Sequence, residues 1–262
     1  MGLPSGKSRQ EVITRLMDAG YAFVFPADLR QVLDVDTAAL ERLADSWNDL
    51  PRDEYLRDGG RYRFRRHTCF VQNIAGGGAA PDVGGLSQTP HRAHWQPTSY
   101  NALHGGLERW FAPITPQVLQ SSAWGRLVTS IGTLFAQIRP VAQWFIEAHQ
   151  FRIDTQDGIG RPTPEGAHRD GVDFVALLLV HRRNIRGGES RVFDANGPTG
   201  VRFTMAQPWS VLLMDDARVI HETTPIQPDG EQGIRDTLVL TYRVGGFQAP
   251  DTPSIQVSST LS

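Results

Sequence analysis

Two periodicities divide the chain. Up to about residue 140, apolar residues recur at helical spacing in three stretches; beyond it they alternate, or run in short blocks between turns. Residues 9–20 carry Val12, Leu16 and Ala19 on one face, which predicts a short helix, and an apolar strand is expected at Tyr21 to Phe25. A second helix should start at Asp36 or Thr37, with Leu40, Leu43 and Trp47 on one stripe, and end before Pro51. Thr115-Pro116, a capping residue followed by proline at the first helical position, opens a third. Leu119, Ala123, Leu127, Ile131, Leu134 and Ile138 continue it to Pro140. Residues 74–115, rich in Gly and Pro, predict long loops.

From Trp144 onward the pattern is β. Strands are expected at 144–154, 173–182, 190–194, 200–206, 209–214, 217–220 and 235–243, separated by turns such as Gly187-Gly188 and Asn196-Gly197-Pro198. Many short strands without intervening helices predict an antiparallel sandwich or jelly roll. The expectation is a mainly β fold with flanking helices, a single domain over 1–262. Its parts would be a flexible leader (1–8), a helical and loop N-terminal half (9–143), a jelly-roll core (144–246) and a loose tail (247–262).

Composition narrows the function. With 40% apolar and 21% charged residues the chain is globular and long enough to bury a sizeable core. Lys plus Arg number 26 against 28 Asp plus Glu, a net charge of -2 that argues against nucleic acid as a partner. "RYRFRRHTCF" (Arg61 to Phe70) interleaves basic and aromatic residues as a nucleic-acid face does. Given the charge balance, a strand over a pocket mouth or a solvated face is expected instead. The single cysteine, Cys69, excludes an internal disulfide, suits a reducing cytoplasm and reads as a packed thiol. No apolar stretch approaches the roughly 18 residues of a membrane span, and no basic-then-apolar leader opens the chain.

Two N-terminal patterns fail their chemistry. "GLPSGKS" (Gly2 to Ser8) places Gly6 one residue too early for a phosphate loop and follows no strand. "MGLPSG" has Gly6 where a myristoylation signal needs Ser or Thr. His91 and His94 in "HRAHW" have no carboxylate or cysteine beside them, so no metal site is expected there.

The chemistry gathers downstream. In "EGAHRDGVDF", His168 and Asp170 are two apart, so a strand would point both to one face. Alone the pair is a weak signal and reads first as charged turn residues. "LLMDDARVIHETTPI" then places His221 at the end of an apolar strand. Strands distant in sequence lie side by side in a jelly roll, and two imidazoles with one carboxylate form the facial triad suited to non-haem Fe(II). In "RDTLVLTYR", Arg235, Thr237, Val239 and Thr241 share a face. An arginine opening an apolar strand needs an anion, either a local acid such as Asp236 or a bound carboxylate that its fork grips bidentately.

His168-x-Asp170…His221…Arg235-x-Thr237 resembles the motif of the 2-oxoglutarate/Fe(II)-dependent dioxygenases. The surrounding "HQFRI", "PEGAHRDGVDF", "GGES" and "RDTLVLTYR" are similar to the bacterial branch containing L-isoleucine dioxygenase and related free amino acid hydroxylases. The resemblance covers residues 144–243 and implies a distorted double-stranded β-helix, a cupin-like jelly roll. It further implies that His168, Asp170 and His221 hold Fe(II), while Arg235 and Thr237 hold the distal carboxylate of 2-oxoglutarate. O2 would then oxidise a free L-amino acid, with release of succinate and CO2. Asp170 must be ionised and both histidines neutral to bind iron, so activity should fall in acid.

For the charged ends of such a substrate the candidates are Gln150 and Arg152, on one face of the first core strand, and Glu165 beside the metal pair. Arg169, between the two ligands, should point away from iron. Two alternatives remain: a cupin-like isomerase or lyase without 2-oxoglutarate, and a non-catalytic binding domain. Arg235 and Thr237 speak against the first, the complete triad against the second.

Overall fold

The computed structural model describes residues 5–74, 85–101 and 103–250. Helix α1 (Arg9–Ala19) starts where the Ser8 hydroxyl accepts from the Glu11 N–H, and stops at Gly20, whose φ of 79° only glycine adopts without strain. Short helices α2 (Leu29–Leu33) and α3 (Thr37–Glu41) follow. The helix expected to run on toward Pro51 gives way to a 3-10 turn at Ala44–Asp49, where Trp47 Nε1 donates to the Thr237 carbonyl at 3.1 Å. A long-range hydrogen bond thus overrides local periodicity. The helix expected from Thr115 to Pro140 is two, α4 (Pro116–Leu119) and α5 (Ser122–Ile138). Ser121 between them is extended and caps α5 by accepting from the Ala123 N–H.

The strands are β1 (Tyr21–Val24), β2 (Arg63–Asn73), β3 (Leu86–Gln88), β4 (Gln143–Asp154), β5 (Phe174–Arg183) and β6 (Ile185–Gly187). Then come β7 (Glu189–Asp194), β8 (Gly200–Thr204), β9 (Val211–Asp215), β10 (Val219–Thr223), β11 (Ile226–Pro228) and β12 (Ile234–Arg243). Seven form one sheet in the order β1-β9-β5-β12-β4-β2-β3; β10-β7-β8 and β11-β6 form smaller ones. Every pairing between these strands is antiparallel. The mainly β expectation holds, but the N-terminal half is not helical in the sense foreseen. It gives three strands to the large sheet, and β2 pairs with β4 along its whole length, from Arg63 opposite Ile153 to Asn73 opposite Gln143.

Alternation gives the large sheet two distinct faces. Trp144, Ile146, Ala148, Leu238, Leu240, Tyr242, Phe174, Ala176 and Leu178 turn toward the helices and pack on Leu127, Ile131, Leu134 and Phe135 of α5. The approach is close: a Cβ on Gly132 would collide with Gln72 Oε1, and Trp144 Nε1 donates to the Gly132 carbonyl at 2.9 Å. On the other face Val175, Leu177 and Leu179 join Val192, Leu212, Met214 and Val219 in a second apolar cluster between the sheets. No helix among the described residues is long and apolar enough to cross a membrane.

Candidate active site

The strand register lays out the inner face of β2, β4 and β12 in rows. Arg63, Ile153 and Arg235 form one row; Arg65, Phe151 and Thr237 the next. His67, His149 and Val239 follow, and then Cys69, Glu147 and Thr241. All of these side chains except His67 and Cys69 wall a cavity of about 120 Å³, which His168, Asp170 and His221 close from the opposite side.

His168 and His221 are joined through the backbone. Each N–H donates to the other's carbonyl, at 3.0 and 2.9 Å, so a loop residue and a β10 residue form one bridge. Their imidazole Nε2 atoms each lie 3.7 Å from an oxygen of the Asp170 carboxylate. His168 Nδ1 donates to the Gly166 carbonyl at 2.8 Å, which leaves the Nε2 lone pair for a cation. The three donor sets lie within 4.8 Å of one another. Burial, reinforced by His168, pushes His221 down to about 3, so its ring is neutral at neutral pH. His168 behaves differently: burial opposes its charge, but Asp170 and Glu165 outweigh that and raise its pKa. Burial also raises the Asp170 carboxyl, against the pull of His168. Two imidazoles and a carboxylate facing one cavity suit a divalent ion, whose charge would hold this carboxylate ionised and these imidazoles neutral.

Gly171, at φ 75°, turns the chain directly after Asp170, and a Cβ there would strike the Tyr100 ring at 2.5 Å. Arg169 points away from the cavity and donates to the Asp216 carbonyl at 2.6 Å. The start of the expected loose tail is packed: Gln248 Nε2 donates to the Gly171 carbonyl at 2.8 Å, and its side chain lines the cavity. Residues 251–262 lie outside the described residues.

Arg235 is buried on the same wall, and its Nη2 has no partner among the described residues. Desolvation, with Arg182 nearby, depresses its pKa to about 10, so it still carries its charge. The local acid Asp236 is not its partner. Asp236 points to the other face and accepts from Arg152 Nε and Nη2 at 2.8 and 2.7 Å. A buried, unpaired guanidinium beside the Thr237 hydroxyl fits the carboxylate of a 2-oxo acid.

The candidate substrate contacts divide. Glu165 lines the cavity, with Oε1 3.6 Å from His168 Nε2 and Oε2 unpartnered among the described residues. Gln150 and Arg152 do share a face, but it is the helix-facing one. Gln150 Nε2 donates to the Ser46 hydroxyl at 2.9 Å, while Arg152 holds Asp236 and Asn48. Period two fixes which residues travel together and leaves open which set turns inward; here His149 and Phe151 do.

A second polar cluster has no counterpart in the sequence expectations. His94, from the loop, does have a carboxylate beside it: Glu147 Oε2 accepts from His94 Nδ1 at 2.6 Å and from His67 Nε2 at 2.9 Å, with His149 Nε2 at 3.7 Å. Burial alone would raise the Glu147 carboxyl; the imidazoles outweigh it and hold it well below the usual range. Arg65 Nη2 lies 2.9 Å from His149 Nδ1 and can only donate, so that ring carries its proton on Nε2 and offers no lone pair there. The group is therefore a buried carboxylate solvated by N–H donors. Cys69 Sγ sits 3.3 Å from His67 Nε2, and burial raises its thiol pKa.

Comparison with known proteins decides the family: residues 44–241 match the model of the 2OG-Fe dioxygenases. The chain belongs to that family. A bsmA homologue from Methylobium petroleophilum PM1 is 51% identical over 93% of this chain and 96% of its own, with a TM-score of 0.86. IDO from Bacillus thuringiensis shares the fold at 18% identity, covering 92% of this chain and 100% of its own, TM-score 0.71. So does the Fe(II)/(alpha)ketoglutarate-dependent dioxygenase TqaL, at 17% identity over 90% of this chain and 86% of its own, TM-score 0.67. No curated protein matches. As a 2OG-Fe dioxygenase the chain uses Fe(II), 2-oxoglutarate and O2, and the isomerase or lyase alternative is not favoured.

Proposed function

We propose that the protein hydroxylates the side chain of a free L-amino acid, with Fe(II) on His168, Asp170 and His221 and 2-oxoglutarate on Arg235 and Thr237. The observation that carries this reading is the orphaned Nη2 of Arg235, a buried cation on the wall facing the triad. O2, activated at the metal, would be the oxidant: it would take two electrons from the oxo acid, one oxygen atom entering succinate as CO2 leaves, and two from the substrate C–H, the other atom entering the product. The chain's own residues bind and exclude water. His168 Nε2, Asp170 Oδ and His221 Nε2 would hold the metal at the edge of the cavity. Arg235 pins the far carboxylate of the oxo acid, and Thr237 adds a hydroxyl beside it. Val175, Leu177 and Val239 keep the wall between them dry.

The amino acid substrate is supported by the "PEGAHRDGVDF" resemblance and by Glu165, whose unpartnered oxygen suits an ammonium. The test is anaerobic loading with Fe(II) and 2-oxoglutarate, then air, over a panel of L-amino acids. Succinate should form together with a product heavier by one oxygen atom, and His221→Ala should abolish both. Wild-type turnover in His221→Ala at saturating Fe(II) would falsify the metal assignment.

A further inference from the structure

We infer that Arg65 and Arg109 form a second anion site, which takes the α-carboxylate of the substrate; this deepens the oxygenase reading above and rests on it. Three arginines meet at this end of the cavity. Arg63 is spoken for: its Nε donates to Asp53 Oδ2 at 2.7 Å, and both side chains are buried. Arg65 and Arg109 have no such partner. They are 4% and 2% exposed, and the Nε of each lacks any hydrogen-bond partner among the described residues. Their contacts go to neutral acceptors, Arg65 Nη2 to His149 Nδ1 at 2.9 Å and Arg109 Nη2 to Gln96 Oε1 at 3.0 Å.

Two neighbouring buried cations without a carboxylate are a costly arrangement unless an anion completes it. Arg65 is also fixed in place, its guanidinium carbon 4.0 Å from the Phe111 ring centroid and 4.5 Å from that of Phe151. Stacking leaves the planar edge as the binding surface, and that edge matches a carboxylate. Asp53, Glu147 and Glu165 lie near enough to favour the Arg65 and Arg109 charges, but none of them forms an ion pair with either guanidinium; Glu147 Oε2 is taken by His67 and His94.

This site is not the 2-oxoglutarate clamp. Arg65 and Thr237 sit on β2 and β12 with Phe151 of β4 between them, roughly 10 Å apart across the sheet. It is nonetheless tied to the metal side. Gln96 accepts from Arg109 through Oε1 and donates through Nε2 to Asp170 Oδ1 at 3.4 Å. A carboxylate held by Arg109 therefore lies one side chain from the triad, which brings carbons near the head group within reach of oxidation.

The experiment compares common L-amino acids with their α-carboxamides, which keep the shape and lose the charge. Two quantities are read: substrate-stimulated succinate formation, and the rise in Tm of the metal-free protein on adding each compound. Free acids should stimulate turnover and raise Tm, and the amides should do neither. In Arg65→Met and Arg109→Met the half-saturating concentration of the acid should rise roughly tenfold or more, collapsing the acid-to-amide preference. Amides equal to acids in the wild type, or a preference that persists in both variants, overturns the site. Succinate formed by the wild type without any amino acid reports the oxygenase reading separately. If that persists while no free acid stimulates or stabilises, the carboxylate site is wrong and the oxygenase stands.

Discussion

Asp216 holds the Asp170 loop from behind: its buried carboxylate accepts from the N–H groups of Asp170 at 3.0 Å, Gly171 at 2.8 Å and Val172 at 3.2 Å. Three donors on one carboxylate fix the backbone that carries Asp170, the carboxylate of the proposed metal site. Asp216→Asn keeps the shape but loses charge and part of the accepting capacity. Such support commonly accounts for about 10- to 100-fold in metal affinity. Anaerobic Fe(II) titration should show a loss of that order in a folded protein; unchanged affinity would mean that Asp216 only shapes the loop.

Arg235→Ala should raise the 2-oxoglutarate concentration needed for turnover, since a charged hydrogen bond contributes about 1.5–3 kcal/mol. That corresponds to roughly a tenfold to hundredfold change. Lys at 235 keeps the charge without the fork, so rescue should be partial. A 2-oxoglutarate dependence identical to wild type in Arg235→Ala would remove the clamp.

Arg152→Ala should affect stability and leave substrate kinetics alone. Asp236 is fully buried and shared between Arg152 and His181, so truncating the arginine strips a buried carboxylate of its main partner. The cost is about 3 kcal/mol. Denaturant unfolding checks the loss, and steady-state kinetics on the surviving folded protein checks the second half. A raised substrate KM at normal stability would return Arg152 to the site.

Acid should destabilise the protein before its ordinary carboxylates protonate. Burial, the largest cause in each case, holds His94 at about 3 and His104 at about 4. Unfolded histidine titrates near 6.5, so between pH 6.5 and 3 the unfolded chain binds protons that the native one refuses. These groups' contribution is complete above pH 6.5 and is lost as pH falls through that window. Unfolding free energies at pH 7.5, 6 and 5 should decline in that order; a flat profile would mean the imidazoles are accessible in the native state.

Most strands from Gln143 onward were legible because period-two alternation and Gly-rich turns mark them without help from tertiary contacts; the short β6 and β11 were not foreseen, being too brief to show a period. The triad and Arg235-x-Thr237 were legible as a pattern of spaced side chains. β2 was harder. Arg63, Arg65 and His67 on one face read as a strand over a pocket mouth or as a solvated face, and only pairing with β4 sets them opposite Ile153, Phe151 and His149. The same ambiguity misplaced Gln150 and Arg152, since alternation has no sign until a partner strand supplies one. His94 and Arg109 arrive from loop segments that carry no periodicity at all. Asp216 could have been suspected from "MDDARVIHE", where one of two adjacent acids must turn inward at the end of a buried strand.

The paired backbone hydrogen bonds between His168 and His221 make the spacing of two imidazoles a property of the main chain. Rotamer changes can swing either ring but cannot carry the two Cα atoms apart without breaking the bridge. A bridge of this kind gathers the two imidazoles by main-chain hydrogen bonds alone, so little chain freedom would be lost on binding an ion. Loading should be limited by ion dehydration and diffusion into the cavity, and repeated cycles of chelation and refilling should leave the protein as competent as before.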